Sequence, residues 1–313
     1  MTPNFRVVNA LSVDLEEYYH ALVFQEATKG QRTTNLESRV ETSTEQVLTL
    51  LDTHDVKATF FIVGEVAAAH RSMVRAIAQA KHEIACHGYH HTLVSGQSRE
   101  EFRAGIRRAK AVLCDITGEP VIGYRAPNFS IGPRQAWAYE ILAEEGFRYD
   151  SSSYPILHDR YGDRSAPRFV HDVWRNGAKR LVEFPVGTAR ITGVNLPIGG
   201  GGYFRLLPGE LIASGIRRVN TVEGKPVMFY FHNWELDPAQ PRPPMAWRHR
   251  FRHYVGQDRL ATKLGRLLRR VAFGPARDVL GMSNGDESHH AHRPQAPNAH
   301  SVPLHHPQRR GSA

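Results

Sequence analysis

The sequence has few cysteines and no long hydrophobic run, and each absence excludes a class of protein. Only two cysteines, Cys86 and Cys114, occur among 313 residues, which excludes a disulfide framework and a cysteine-rich zinc module. No segment approaches the roughly 18 consecutive apolar residues of a transmembrane helix. The stretch MTPNFRVVNALSVDLEE also lacks the charged and then apolar pattern of a secretory signal, which predicts a cytoplasmic protein.

Acidic residues are scarce in one basic segment. Between Arg242 and Arg270, nine Arg or Lys residues accompany the single acid Asp258, in a chain whose net charge is +9. Because the positive charge is concentrated there, general nucleic-acid binding is not expected. Apolar residues recur at helical spacing over residues 257–272, which favours a helix that covers the fold with a charged outer face. The alternative is peripheral contact of residues 242–272 with an anionic membrane.

The C-terminal segment at residues 283–313 is poor in large apolar side chains. It contains six histidines and four prolines. Such a segment cannot bury enough apolar surface to offset the entropy lost on ordering. The sequence therefore predicts a disordered tail after a folded domain of residues 1–282.

Short apolar runs alternate with longer amphipathic segments through most of the remaining chain. This alternation predicts an α/β fold with a parallel sheet, open or barrel-like. In both versions, functional groups gather where strands end and loops begin. Asp14, His87, Arg125 and His232 each close an apolar run, so we expect these four side chains to lie near one another.

Histidines are concentrated in the segment HEIACHGYHH at residues 82–91, where four occur. His87 and His91 are four residues apart and would share one face of a helical turn, where both could bind one metal ion. The segment SVDLEEYYH offers Asp14, Glu16 or Glu17 as a third ligand, which would complete a site with two histidines and one carboxylate. The alternative for each residue alone is structural: a solvated histidine or a helix-capping carboxylate.

These residues, taken in order, resemble the motifs of the polysaccharide deacetylase family, the carbohydrate esterases related to the NodB chitooligosaccharide deacetylase. His87 and His91 match its second motif, Arg125 in RAP its third, and His232 in FYFH its fifth. The resemblance extends to the branch associated with exosortase and PEP-CTERM exopolysaccharide loci, through SVDLE, HEIACHGYHH, GYRAPNFSI, GGGYFRLLP and FHNWELDPAQPR. It runs from about residue 9 to 260 and implies an incomplete (β/α)7 barrel, with a family-specific part at about residues 195–282.

The resemblance also implies an activity and a cofactor. The expected enzyme is a hydrolase that removes N-acetyl groups from N-acetylhexosamine units of an oligo- or polysaccharide in exopolysaccharide biosynthesis, with a glycan that could be lipid-linked. The expected cofactor is one divalent ion, with zinc favoured and cobalt or nickel as alternatives. Its ligands would be Glu16, His87 and His91.

The remaining site residues receive roles by the same resemblance. Asp14 would be the general base, Arg125 would hold its carboxylate, and His232 would be the general acid. Asp150 would orient His232. The residues expected to face the substrate or the oxyanion are Asn128, Phe129 and Trp234.

Two departures from the family pattern leave assignments open. Many relatives have adjacent aspartates in the first motif, whereas this chain has Asp14-Leu15-Glu16. Residues two apart on a strand point the same way, which favours Glu16 as the ligand, with Glu17 or Asp14 as the alternative. The third motif usually ends in tyrosine, but Asn128 stands there. A backbone N–H at Asn128 would survive this change.

Other functions also stay open at this point. One is a metal amidohydrolase acting on another amide or a peptidoglycan sugar, and the other is a catalytically silent sugar-binding module. The glycine run at residues 199–202 lacks the Gly-Lys-Ser/Thr ending of a phosphate loop. We expect it to form a flexible rim or a tight turn beneath the site.

Overall fold

The strands and helices alternate along the chain, as the sequence predicts. The computed structural model describes residues 7–28, 36–158 and 161–282, so the tail predicted to be disordered lies outside the described residues. The strands are β1 (Asn9–Leu15), β2 (Thr59–Ile62), β3 (Glu83–Cys86), β4 (Gly123–Tyr124), β5 (Tyr149–Asp150), β6 (His171–Asn176), β7 (Lys179–Glu183), β8 (Thr188–Ile191), β9 (Val194–Pro197), β10 (Met228–His232) and β11 (Phe273–Gly274).

The helices connect these strands and cover the sheet. They are α1 (Leu22–Thr28), α2 (Val40–Thr53), α3 (Gly64–Ala69), α4 (Arg71–Gln79), α5 (Arg99–Thr117), α6 (Trp137–Glu144), α7 (Gly201–Leu206), α8 (Gly209–Arg218), α9 (Trp247–Tyr254), α10 (Gln257–Leu268) and α11 (Ala276–Val279). α5 shows how local sequence sets the bounds. Ser98 and Glu101 form a capping box at its start, and Gly118 ends it in the left-handed conformation.

The main sheet is an incomplete barrel. Its strand order is β10-β1-β2-β3-β4-β5-β7-β6, with β11 beside β1, and only β6 pairs antiparallel with its neighbour. β8 and β9 form a separate antiparallel hairpin. The parallel order confirms the fold class, and it brings the carboxyl ends of β1, β3 and β10 to one end of the sheet.

The alternation of side chains along β1 separates the helix-facing core from the barrel interior. Leu11, Val13 and Leu15 belong to the large apolar core that the helices cover. Ala10 belongs to a second cluster inside the barrel, and Ser12 and Asp14 point the same way because strand side chains alternate. The same alternation that buries the apolar residues therefore aims Asp14 into the interior.

The glycine run closes the gap between β7 and β10. Single bridges join Val186 to Met228 and Gly200 to Tyr230, so the described strands do not form a continuous closed ladder. A Cβ atom at Gly200 would lie 1.9 Å from the Tyr230 carbonyl oxygen, and Gly200 has a φ of 105°. The expectation of a flexible rim is therefore wrong, because this segment is packed directly against β10.

The helix predicted in the basic segment is α10, and its apolar side is part of the core. Leu260, Leu264 and Leu267 are buried, whereas the arginines of α10 are exposed. This packing confirms the helix with a charged outer face, and it removes the apolar side of α10 from contact with lipid. Contact of the basic face with a membrane stays a prediction. No helix in the described ranges is long and apolar enough to span a membrane.

We expect Gly200→Ala to lower the free energy of unfolding by about 3 kcal/mol, because the new methyl group meets a backbone oxygen at a φ that L-residues avoid. Urea unfolding measures the change. Gly177→Ala is the matched control, since Gly177 has a φ of 57° with no atom within 4 Å of an added Cβ. The control should lose only about 1 kcal/mol. Equal losses in the two variants would contradict the close approach to β10.

Candidate active site

Three buried side chains meet at the carboxyl end of the sheet. Glu16 follows β1, and His87 and His91 follow β3; one potential ligand atom from each lies within 4.8 Å of the others. The Glu16 Oε2 and His91 Nε2 atoms are 2.5 Å apart. The structure thus brings together the two histidines and one of the carboxylates that the sequence singled out.

Neighbouring side chains hold Glu16 in this position. The Trp234 indole N–H donates to Glu16 Oε1 at 2.9 Å, and the Glu16 amide donates to the Asn233 side chain at 3.0 Å. Glu16 Oε2 is buried beside His91 Nε2 and has no other polar partner within the described residues. One oxygen is therefore fixed by the protein, and the other is left facing the two histidines.

The histidine loop differs from the predicted helical turn. His87 and His91 lie in a loop after β3, where Gly88 has a φ of 75° and His91 a φ of 52°. The prediction that the pair shares one face of a helix is therefore wrong. The left-handed residues turn the chain back so that both imidazoles face Glu16. Strain of this kind is common where a backbone positions functional groups.

The protonation states of His87 and Glu16 suit a metal ion. His87 Nδ1 lies 2.8 Å from the Arg125 carbonyl oxygen, so this nitrogen is the donor and Nε2 keeps its lone pair. Burial lowers the pKa of His87 to about 4, which keeps the imidazole neutral at pH 7. Burial alone would raise the pKa of Glu16, but the contact with His91 outweighs burial and lowers it. A neutral imidazole and an ionised carboxylate are the forms that bind divalent ions.

Glu17, the alternative ligand, is used elsewhere. Its two carboxylate oxygens accept from the Ser38 hydroxyl and from the Arg39 amide at the start of α2. This contact satisfies one of the N–H groups that a helix start leaves unpaired. The geometry therefore favours Glu16 over Glu17 as the ligand.

Asp14 is held by a buried guanidinium. Arg125 Nη1 donates to Asp14 Oδ1 at 2.6 Å and to the Ser12 hydroxyl at 2.9 Å, and its Nε donates to the Ser151 carbonyl at 3.0 Å. Arg125 is fully buried, and its guanidinium lies 4.1 Å from the centre of the Phe61 ring. The contact places the Asp14 carboxylate at the wall of the site, as the resemblance implies.

His232 lies beside Asp14 in the neighbouring strand, since the two residues are register partners of β1 and β10. Its Nε2 is 3.8 Å from Glu16 Oε1, and its Nδ1 is 3.5 Å from Glu235 Oε1. Burial alone would lower the pKa of His232, but the carboxylate of Glu235, with smaller contributions from Glu16 and Asp14, raises it to about 9. His232 is therefore protonated at neutral pH, the state that a general acid requires.

The structure corrects the role expected for Asp150. Its carboxylate accepts from the Ser152 hydroxyl at 2.6 Å and lies against Glu183, and burial raises the pKa of both acids. No ion pair or hydrogen bond joins Asp150 to His232 in the part of the chain that the structure describes. The carboxylate beside His232 is Glu235, which Arg205 in turn contacts at 3.1 Å.

One cavity of about 260 Å³ is bordered by the candidate ligands and proton-transfer groups: Asp14, Glu16, His87, His91 and His232. Asn128 and Phe129 form part of its wall with φ values of 53° and 52°, and Phe129 packs edge-on against Tyr230. Trp234 also borders the cavity, although its ring is stacked between His232 and His253. The three residues predicted to face the substrate therefore lie at the cavity, and Trp234 is held there by stacking.

Sequence reasoning missed three residues of this site: Glu235, Arg205 and Tyr230. Glu235 was detectable, because it follows His232 by three residues in FHNWE. Arg205 and Tyr230 lie in the quoted segments GGGYFRLLP and FYFH, but neither segment indicated a role for them. Their positions depend on the close approach of the glycine run to β10.

Comparison with known proteins places this geometry in a family. The sequence profile of the polysaccharide deacetylases matches residues 21–148, and that of DUF3473, the domain of the PEP-CTERM-associated deacetylases, matches residues 151–281. The chain contains a polysaccharide deacetylase domain. The histidine loop falls in the first match and His232 in the second, whereas Asp14 and Glu16 precede both matches.

Curated relatives match only in part. A peptidoglycan-N-acetylglucosamine deacetylase from Bacillus cereus is 34% identical over 98 residues, which cover 31% of this chain and 36% of the relative. A peptidoglycan deacetylase from Helicobacter pylori is 26% identical over 116 residues, which cover 37% of this chain and 38% of the relative. The chain thus spans little more than a third of the length of these relatives.

Solved structures share the fold across nearly the whole chain. A Mycobacterium smegmatis protein assigned to the polysaccharide deacetylases has a TM-score of 0.56 at 18% identity, covering 94% of this chain and 97% of its own. The Puue allantoinase has a TM-score of 0.62 at 18% identity, covering 90% and 91%. At this identity the likeness establishes the deacetylase-type α/β fold.

We expect His87→Ala to abolish binding of a divalent ion, because it removes one of three ligands from a site with no spare donor. Zinc content after dialysis, measured by elemental analysis, should fall from about one ion per chain to near zero. His90→Ala is the matched control, since His90 belongs to the same loop but pairs with Glu65 at the surface. Full zinc occupancy in His87→Ala would refute the ligand set.

We expect Glu235→Gln to lower the pKa of His232, because the variant removes the carboxylate that raises it. A general acid works only while protonated, so the loss of activity at high pH should begin at a lower pH, by about one unit or more. The rate measured between pH 6 and 10 gives the pH at which half of the activity is lost. Asp150→Asn should leave this pH unchanged. A shift in Asp150→Asn alone would restore the role that the sequence suggested.

Proposed function

We propose that this deacetylase-family chain is a metal-dependent hydrolase that removes N-acetyl groups from N-acetylhexosamine units of an oligo- or polysaccharide. One observation carries the proposal. A buried base, Asp14, and a protonated acid, His232, stand on neighbouring strands and border the same cavity as the candidate metal ligands. Amide hydrolysis needs these components: a group that takes a proton from water, and a group that gives one to the amine.

The residues that would hold the ion are Glu16, His87 and His91, and the buried Glu16 Oε2 beside His91 Nε2 and the oriented His87 imidazole fit such an ion. A bound divalent ion supplies Lewis acidity toward a carbonyl oxygen and a lower pKa for water. Zinc is the favoured ion because imidazole and carboxylate suit it, although the same ligands accept cobalt and nickel.

Asp14 and Arg125 have different roles in activating the attacking water. The Asp14 carboxylate accepts the proton from the attacking water, and Arg125 fixes the direction in which that carboxylate points. A preorganised base avoids the reorientation that a solvated carboxylate would need during reaction. The Ser12 and Ser151 contacts fix Arg125 in turn, so the base is oriented by a chain of buried hydrogen bonds.

His232 acts on the amine that leaves. Amide cleavage expels an amine that departs readily only when it is protonated. His232 is protonated at neutral pH and borders the cavity, and Glu235 would stabilise the imidazolium until the proton is transferred. The products are acetate and a free amino sugar.

The presence of both proton-transfer groups favours catalysis over a silent sugar-binding module. A silent module would retain ligands without needing a base and an acid.

The amidohydrolase alternative differs only in substrate, so substrate profiling separates it from the deacetylase. A role in exopolysaccharide biosynthesis belongs to the same proposal and rests on the resemblance to the PEP-CTERM-associated deacetylases. The cytoplasmic location and the lipid carrier stay predictions.

Acetate release from N-acetylglucosamine oligomers by the zinc-loaded chain tests the proposal. We expect turnover by the wild type and a loss of roughly 10²–10⁴-fold in Asp14→Asn, with zinc content unchanged, because the variant removes only the base. Glu17→Gln is the matched control, since Glu17 caps α2, and its rate should stay close to that of the wild type. Opening of a cyclic amide without acetate release would support the amidohydrolase instead. A wild-type rate in Asp14→Asn would move the base elsewhere.

A further inference from the structure

A second and larger concavity adjoins the active-site cavity. It has a volume of about 750 Å³ and lies between the start of α8 and one face of α10. Arg205, Leu206 and Val255 border both this groove and the active-site cavity. The two spaces are therefore neighbours along one surface, and a chain-like molecule bound in the cavity can continue into the groove.

One wall of the groove is a stripe of cations. Arg259, Lys263 and Arg266 line it at a spacing of three or four residues, which places them on one face of α10, and Arg270 lines it two residues after the helix ends. The seven residue steps from Arg259 to Arg266 extend for about 10 Å. The stripe is thus a linear array of positive charge, longer than a single sugar or a single phosphate group.

Two of these cations are already used by the fold. Lys263 donates to the Phe204 and Leu207 carbonyl oxygens at the end of α7, and Arg270 pairs with Glu210. The other two, Arg259 and Arg266, are exposed. Arg259 has only the adjacent Asp258 at 3.7 Å, and Arg266 has no ion-pair partner within the described residues. Arg259 and Arg266 therefore remain available for an anionic ligand.

The shape of the site distinguishes between two anionic partners. A membrane presents a broad surface, which would reach the exposed Arg259 and Arg266 but would not enter the active-site cavity. A polymer chain can enter the groove, and the shared border with the catalytic cavity gives it a continuous path. The floor includes apolar groups such as Leu207 and Ala213, which suit the apolar faces of sugar rings.

We propose that this groove binds an anionic stretch of the glycan substrate, in which carboxylate or phosphate groups of the neighbouring sugars pair with Arg259 and Arg266. This inference rests on the proposed function, because it extends the same substrate beyond the sugar that is deacetylated. It names the substrate class as an acidic N-acetylated polysaccharide.

Binding measured without turnover tests the inference separately from catalysis. The probes are a hexasaccharide of alternating N-acetylglucosamine and glucuronate and a neutral N-acetylglucosamine hexamer, titrated calorimetrically into the zinc-loaded full chain. We expect the wild type to prefer the acidic probe at low salt, and the preference to fall by roughly three- to tenfold in an Arg259→Gln, Arg266→Gln double variant. The preference should also shrink at high salt, because exposed ion pairs are screened.

Arg269→Gln is the matched control, since Arg269 carries the same charge near the end of α10 but does not line the groove. It should keep the wild-type preference. Equal affinity of the wild type for both probes, or an undiminished preference in the double variant, would overturn the inference. A third outcome would also overturn it: the wild type floats with phosphatidylserine vesicles, the double variant does not, and the wild type prefers neither probe. That result would assign the cation stripe to a membrane. Absence of acetate release by the wild type would contradict the proposed activity without affecting this binding comparison.

Discussion

The buried guanidinium of Arg125 contacts residues of several strands in the interior of this protein. It reaches from the end of β4 to Ser12 and Asp14 of β1 and to Ser151 after β5, and its flat face lies on Phe61 of β2. An unpaired charge in this position would be strongly destabilising, on the order of 3–5 kcal/mol. The same contacts that satisfy the charge also orient the Asp14 carboxylate. Stability and the geometry of the base therefore depend on one group.

The carbonyl oxygen of Arg125 extends this dependence to the histidine loop. It accepts from His87 Nδ1, which sets the tautomer of a candidate ligand. Arg125 thus contacts the base through its side chain and a ligand through its backbone. A displacement of β4 would therefore disturb both the base and the ligand.

The carboxylates of the interior differ in chemistry because their neighbours differ. Glu16 faces imidazoles, which lower its pKa, whereas burial raises the pKa of Asp150 and of Glu183, and the neighbouring Asp150 raises that of Glu183 further. A raised pKa favours the neutral acid, which makes this pair unsuited to raising the pKa of a histidine. Glu235 can do so because it is ionised beside Arg205, and burial, which alone would raise its pKa, is outweighed there.

Much of the fold and of the candidate site was predictable from the sequence, since strand-end residues such as His87 and His232 are marked by the apolar runs before them. Alternation along β1 also determined that Asp14 and Glu16 share a direction. The tertiary structure alone decided which carboxylate lies beside each partner: Glu16 at His91 and Glu17 at the start of α2. These choices depend on distances between segments far apart in the chain, and residue identity and spacing carry no information about such distances.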